Sequence, residues 1–431
     1  MTHTLRYLFV LGLFAASTHA AQRPNFIVIT AGDIGRDWIH CYGGAHPTPN
    51  IDRLAQQGVL YETAWSTPAA TSSHVTLLTG QYPFRHGWVR DYDVPKSGGI
   101  GLNPLRFTTW ARILRDAGYR TALGGQWQLN NLRRHPKTLP AHGFQEHCVW
   151  LGSAGRPGDP DNRAGNAQLL KNGQQTTVRN GAEAIHAFLV DFIRRHEREP
   201  FLIYYPMLTA AEPPSGPSRK RPQPPASAAG EFAAKVTYVD DLIGRLVSVV
   251  DQAGLQKNTL ILLTGTNGSA VAGNLQGKQY PAGKGHASDR GVHVPWIVRA
   301  PFLTDGNRRS RDLVDATDLF PTLLQLAQVK SPQGWLLDGK SGVASLQGSE
   351  DPFEKRNWIY SQSGNVRLLR DWQHIVDSVG SFHDLPKDPL QQHPVSPQDK
   401  IAPGRRQRLQ MILKRFPPDA AAPFPEFADA P

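Results

Sequence analysis

Residues 66–87 read STPAATSSHVTLLTGQYPFRHG, and the rest of the chain organises around them. Pro68 and the small residues Ala69, Ala70 and Thr71 keep the start extended. Ser72 or Ser73 is expected to cap a helix carrying Val75, Leu77 and Leu78, and Gly80 to end it. A loop running into a helix N-terminus is a ready anion site, because its free N–H groups point outward. It is a natural place for a nucleophile that attacks an anionic ester. The residues offered there are Ala, Thr, Ser, Ser and His.

On the N-terminal side, 25–30 (NFIVIT) is a β-branched apolar run and reads as a buried strand. It ends at Ala31-Gly32-Asp33, the kind of strand-end loop where open α/β sheets place ligands. Thr48-Pro49-Asn50 starts a helix through Ile51, Leu54 and Ala55 that Gly58 closes, and an extended segment covers Val59 to Ala64. On the C-terminal side, Trp110, Ile113, Leu114 and Ala117 have helical spacing before Gly118, and Tyr119 to Leu123 returns as a strand. A helix is expected from Ala182 to His196, then the strand PFLIYYPM. Val236, Val239, Leu242, Ile243 and Leu246 mark another helix, followed by strands at 259–264 and 294–300 and a helix from Asp315 to Ala327. Strands alternating with helices predict an α/β fold with a central, mostly parallel sheet and helices on both faces. From about Trp335 the segments shorten and suit a small antiparallel sheet, with a basic helix near Arg405 to Phe416 packing Leu409, Ile412, Leu413 and Phe416 onto it. The division expected is a leader at 1–20, an α/β domain at 21–330, an α+β subdomain at 331–416 and a disordered tail at 417–431.

The leader reading rests on Arg6, an apolar run from Tyr7 to Ala16 and small residues up to Ala20. It predicts export to a periplasmic or secreted location, and the run is too short for a permanent transmembrane anchor. A formal charge of +11 suits anionic partners. With no basic stripe interleaved with aromatics and no nucleic-acid motif, nucleic acid is not expected among them. Cys41 and Cys148 are the only cysteines, either paired or buried as free thiols. Pro213 to Pro225 reads as an exposed basic loop. Asp37, His40 and His46 lie close together but lack regular zinc-ligand spacing.

Several segments together resemble the sulfatase family of the alkaline phosphatase superfamily. They are RPNFIVITAGDIG, CYGG, TPNIDRLAQQGVLYETAWS, LLTGQYPFRHG, LRDAGYRTALGGQWQL, GKGHASDRGVHVPWIVRAP, DATDLFPTLLQLA and HDLPKDP, in family order along nearly the whole mature chain. The resemblance implies an alkaline phosphatase-like fold. In active members it also implies a cysteine or serine oxidised to formylglycine in a Cys/Ser-x-Pro-x-Arg context. A divalent cation, usually calcium, is held there by acids and an Asn, and lysines and histidines neutralise the sulfate.

Carried over residue by residue, that pattern breaks at its chemical positions. Counting back from Leu77-Leu78-Thr79-Gly80 puts the nucleophile position at Ala70, the signature proline at Ser72 and the arginine at His74. The paired acids of the first strand end are Gly32-Asp33, and the acid beside Asn267 is Thr266. The GKWHLG pattern is Gly125-Gln126-Trp127-Gln128-Leu129, which removes a lysine and a histidine. A family histidine falls at Glu212, whereas Lys284 of GKG is retained.

The resemblance therefore implies an inactive pseudosulfatase that binds a sulfated glycan or another anionic ligand through Lys284, His286 and His74. Asp33 and Asn267 remain as vestigial metal ligands; no cofactor is expected beyond residual weak calcium. Thr71, Ser72 and His74 are the candidates for a shifted nucleophile or base, with helix capping the competing role of the two hydroxyls. His286 and His293 flank Lys284 and would make a small basic pocket. The alternatives are an active sulfate- or phosphate-ester hydrolase with a non-standard nucleophile, and a structural subunit paired with an active sulfatase.

Overall fold

Every residue of strand β1 (Asn25–Ala31) is buried, and β1 lies within a ten-stranded sheet. The computed structural model describes residues 23–92, 94, 101–152, 166–208, 227–396, 398 and 403–417. The leader, Glu212, the proline-rich loop and most of the C-terminal tail lie outside the described residues.

The other strands of the sheet are β2 (Val59–Trp65), β3 (Arg120–Gln126), β4 (Glu146–Trp150), β5 (Ala167–Lys171), β6 (Gln174–Val178), β7 (Phe201–Pro206) and β8 (Thr259–Gly265). After a short hairpin, β9 (Gly273–Leu275) and β10 (Lys278–Tyr280), the chain adds β11 (Trp296–Arg299) and β12 (Arg308–Asp315). The order is β12-β2-β11-β8-β1-β7-β3-β4-β5-β6. The middle, from β8 through β1, β7 and β3 to β4, is all parallel; Ile27 pairs with Ile203 on one side and Ile261 on the other. β11 runs antiparallel to both neighbours, and β4, β5 and β6 end the sheet as antiparallel hairpins.

Alternation along β1 feeds two cores. Phe26 and Val28 face one layer, and Ile27 and Ile29 the other. The first layer packs against helices α2 (Ala70–Thr79), α3 (Trp110–Asp116) and α6 (Leu319–Ala327). The second packs against α1 (Pro49–Gln56), α4 (Gly181–Arg195) and α5 (Ala228–Gln252). These are the α/β elements and the two helical faces expected from the sequence. A separate antiparallel sheet of β13 (Ile359–Ser363), β14 (Val366–Arg370), β15 (His374–Asp377) and β16 (Phe382–Asp384) follows. Helix α7 (Pro403–Leu413) seats Leu409 and Leu413 in the apolar cluster of Tyr360, Leu369 and Val376, so its apolar side is covered by protein.

The expected start of α2 is corrected. The helix starts at Ala70, two to three residues before the expected caps, and its N-cap residue is Ala69 with no side-chain cap. It is also buried along almost its full length despite the polar run Thr-Ser-Ser-His. Gly80 does end it, in the left-handed conformation at φ 66° that a glycine adopts without Cβ strain.

Candidate functional site

Four loops converge at the C-terminal edge of the parallel strands. They follow β1 (Gly32–Gly35), β2 (Ser66–Ala69), β8 (Thr266–Ala270) and the β9–β10 hairpin (Gly283–His286). Backbone bonds lock them together. Ala270 N donates to Asp33 O (3.1 Å), Gly283 N and Lys284 N both donate to Ser269 O, and Gly285 N donates to Pro68 O (3.0 Å). Ser73, from the first turn of α2, donates its hydroxyl to the Thr266 carbonyl and so ties the helix start to the β8 loop. The N-terminus of α2 therefore opens among the ends of β1, β2 and β8, with Ala70 as its first residue and only partly buried.

At the end of β1, Asp33 sits at φ 64°, a left-handed position that Asp tolerates better than most side chains. Its Oδ1 accepts from Asn267 Nδ2 (3.0 Å) and its Oδ2 accepts from Lys284 Nζ (2.8 Å). Burial pushes the Asp33 carboxyl upward, but the nearby charges of Lys284 and Lys235 and these bonds bring it below its ordinary value. Asn267 donates a second time to Gly268 O (2.9 Å), while its Oδ1 accepts from Thr266 Oγ1 (2.7 Å). Thr266 and Asn267 are fully buried. A Cβ at Gly32 would meet Thr266 Oγ1 at 3.8 Å, an ordinary contact, so position 32 has room for a side chain that it does not carry.

This donor set does not fit a calcium ion. Calcium takes about 6–8 oxygen ligands, several of them carboxylate. Asp33 supplies the one carboxylate at this point, and a lysine and an amide N–H already occupy its oxygens. Asn267 turns its N–H, not its carbonyl oxygen, toward Asp33. Among the described residues no three His, Cys, Asp or Glu side chains come close enough to hold a metal.

The remaining candidates separate. Thr71 does not cap α2; its Oγ1 donates to Asp91 Oδ1 (2.7 Å) and accepts from Tyr92 N (2.8 Å), which straps the following loop to the helix start. Ser72 Oγ is buried with no hydrogen-bond partner among the described residues. His74 lies on α2. It is buried, its Nδ1 meets the Tyr204 hydroxyl, and burial lowers its pKa to about 4, so it is neutral near pH 7. His286 is exposed and accepts from Arg290 (3.3 Å). His293 leaves the expected pocket altogether: it is buried against Asp289 (3.0 Å) and Glu62 O (2.9 Å), next to the Asp289–Arg370 pair that joins the two sheets.

The possible zinc trio also disperses. Asp37 accepts from Ser269 Oγ (2.6 Å), His40 pairs with Asp52 (2.7 Å), and His46 meets Thr237 (2.9 Å). Both cysteines are free, and burial raises the thiols to about 12 for Cys41 and about 11 for Cys148. Sequence reasoning missed Lys235 and the pinning hydroxyls of Ser73 and Ser269. Lys235 lies on α5, about two hundred residues from Asp33, and only the fold brings their charges together.

A mixed sheet whose central parallel strands deliver their end loops to one helix start, together with a separate four-stranded antiparallel sheet, is the arrangement of an alkaline phosphatase-like fold. Residues 24–329 match the family model described as Sulfatase. N-acetylgalactosamine-6-sulfatase of Canis lupus familiaris is 30% identical over 380 residues, covering 80% of this chain and 70% of its own. Arylsulfatase H of Homo sapiens is 26% identical over 411 residues, covering 76% and 73%. The crystal structure of Ps i-CgsB superposes with a TM-score of 0.77 at 23% identity, over 93% of this chain and 94% of that one, a likeness of fold. The chain belongs to the sulfatase family.

Proposed function

We propose that this is a non-hydrolytic sulfatase-family protein, exported by its leader, that holds a sulfated glycan or a similar anionic ligand without cleaving it. The observation that carries the proposal is Ala70 as the first residue of α2, where the family resemblance places the nucleophile. A methyl group can be neither oxidised to an aldehyde hydrate nor made to attack sulfur. The neighbouring hydroxyls offer no replacement. Those of Thr71 and Ser73 are committed to hydrogen bonds, and Thr71, Ser72 and Ser73 are all fully buried. His74 lies buried against Tyr204 and is no base for them. The sulfatase names of the relatives point to sulfate esters as the ligand class. Lys284, 46% exposed, spends one of its three N–H donors on Asp33 and has others for an anion at the helix start.

The purified mature protein is expected to release no product from aryl sulfate or aryl phosphate with calcium, magnesium, manganese or zinc present. A sulfated glycan such as heparin is expected to raise its melting temperature, and Lys284→Ala to abolish that rise. Turnover that needs a metal and vanishes in Thr71→Ala would sink the proposal in favour of a hydrolase with a shifted nucleophile.

A further inference from the structure

We propose that Lys284, reinforced by the charge of Lys235, supplies the positive charge at Asp33 in place of a divalent cation, so that this site is metal-independent. The geometry starts from Lys284. Its ammonium sits 2.8 Å from Asp33 Oδ2, at the bonding distance of a charge-assisted hydrogen bond. Asn267 completes the cradle by turning its N–H groups to Asp33 Oδ1 and Gly268 O, and Thr266 fixes that orientation by donating to the amide oxygen. A bound metal would need the opposite orientation, with the amide oxygen facing inward. The hydrogen-bond network is therefore closed around a cationic side chain.

Lys235 comes from α5. Its α5 position lies three residues past Phe232, whose ring packs edge-on to Trp38 in the loop after Asp33 (4.8 Å between centroids). The Lys235 ammonium lies 5.3 Å from the Phe232 ring, and its charge acts on the Asp33 carboxylate. With Lys284 bonded to the one carboxylate and the charge of Lys235 acting on it as well, the balance of the three groups is positive, the sign a divalent ion would have left. The exchange also accounts for the two missing acids. With Gly32 and Thr266 in their places, one carboxylate remains, and a single ammonium, that of Lys284, is enough to neutralise it.

The inference goes beyond the proposed ligand reading and holds whether or not a ligand binds. It is tested on the full mature chain by thermal melting in chelator and in millimolar calcium, with elemental analysis of the same preparation. The expected result is the same melting temperature in both and no stoichiometric divalent metal; a calcium-dependent rise or one bound metal per chain would overturn it. A double-mutant cycle at low ionic strength measures the charge pairing directly. Asp33→Asn is expected to cost less in a Lys284→Met or Lys235→Met background than in the native one, and strict additivity for both lysines would overturn the pairing. The two readings fail separately. A calcium-stabilised protein without turnover overturns the lysine pair alone, whereas metal-free turnover overturns the non-hydrolytic reading alone.

Discussion

A single hydroxyl ties the segment after position 90 to the start of α2. Thr71 Oγ1 both donates to Asp91 and accepts from Tyr92 N, so it holds the loop after position 90 against the helix start. Thr71→Val keeps the shape and removes both bonds. It is expected to cost about 1–3 kcal/mol, from the loss of the bonds to Asp91 and Tyr92 N, as measured by urea denaturation. If the proposed function is right, turnover of sulfate esters stays at background in both proteins. At this scale the sequence was legible where motif order places residues: Ala70, Asp33, Asn267 and Lys284 all reach the converging loops. It was not legible where a partner is remote. Nothing local joins Lys284 to Asp33, 251 positions away, and nothing in Thr-Ser-Ser-His announces burial. Three of those side chains are satisfied from adjacent segments, Thr71 by Asp91 and Tyr92 N, Ser73 by Ala69 O and Thr266 O, and His74 by Tyr204, while Ser72 Oγ is buried with no partner among the described residues.

The central strands β1, β7 and β8 were readable as elements; the edge strands were not. β1, β7 and β8 are continuous apolar runs, which is what a parallel strand between two helical layers requires. β12 reads RRSRDLVD and β6 reads QQTTV. Both lie at sheet edges, where a polar face stays in water and the apolar pattern weakens. Helix α5 begins at Ala228, well before the apolar positions that mark it, because Ser227 caps it by accepting from Gly230 N. β3 carries the sharpest element-scale test. Gly125, the glycine of the altered GKWHLG pattern, has φ 138°, and a Cβ there would lie 1.8 Å from Pro206 O on β7. That glycine is required by the close approach of two backbones, whatever chemistry its neighbours have lost. Gly125→Ala is expected to eliminate most soluble folded protein, checked by the soluble yield and the circular dichroism of what remains. A variant that folds with an unchanged melting temperature would show that the strands part easily there.

Across the whole molecule, buried histidines set the response to acid. Burial lowers the pKa of His74, His142, His147 and His186 to about 4 and of His86 to about 3, and lowers that of His293 as well. In the unfolded chain these imidazoles return to about 6.5. Their neutral forms thus contribute stability that is whole above about pH 6.5 and is lost as the pH falls toward 4. Asp37 and Asp315 act the other way. Burial raises both to about 6, so the folded state binds protons there that the unfolded state does not, and stability rises as the pH falls through that window. The histidines outnumber these two carboxylates, and each net proton is worth about 1.4 kcal/mol per pH unit. Stability is therefore expected to fall by on the order of a few kcal/mol per pH unit below about pH 6, measured as urea midpoints across that range. His86→Asn removes one of the lowered groups and is expected to flatten the slope by roughly one proton's share. A midpoint that stays level down to about pH 4.5, in either protein, would mean that these imidazoles find water in the folded state.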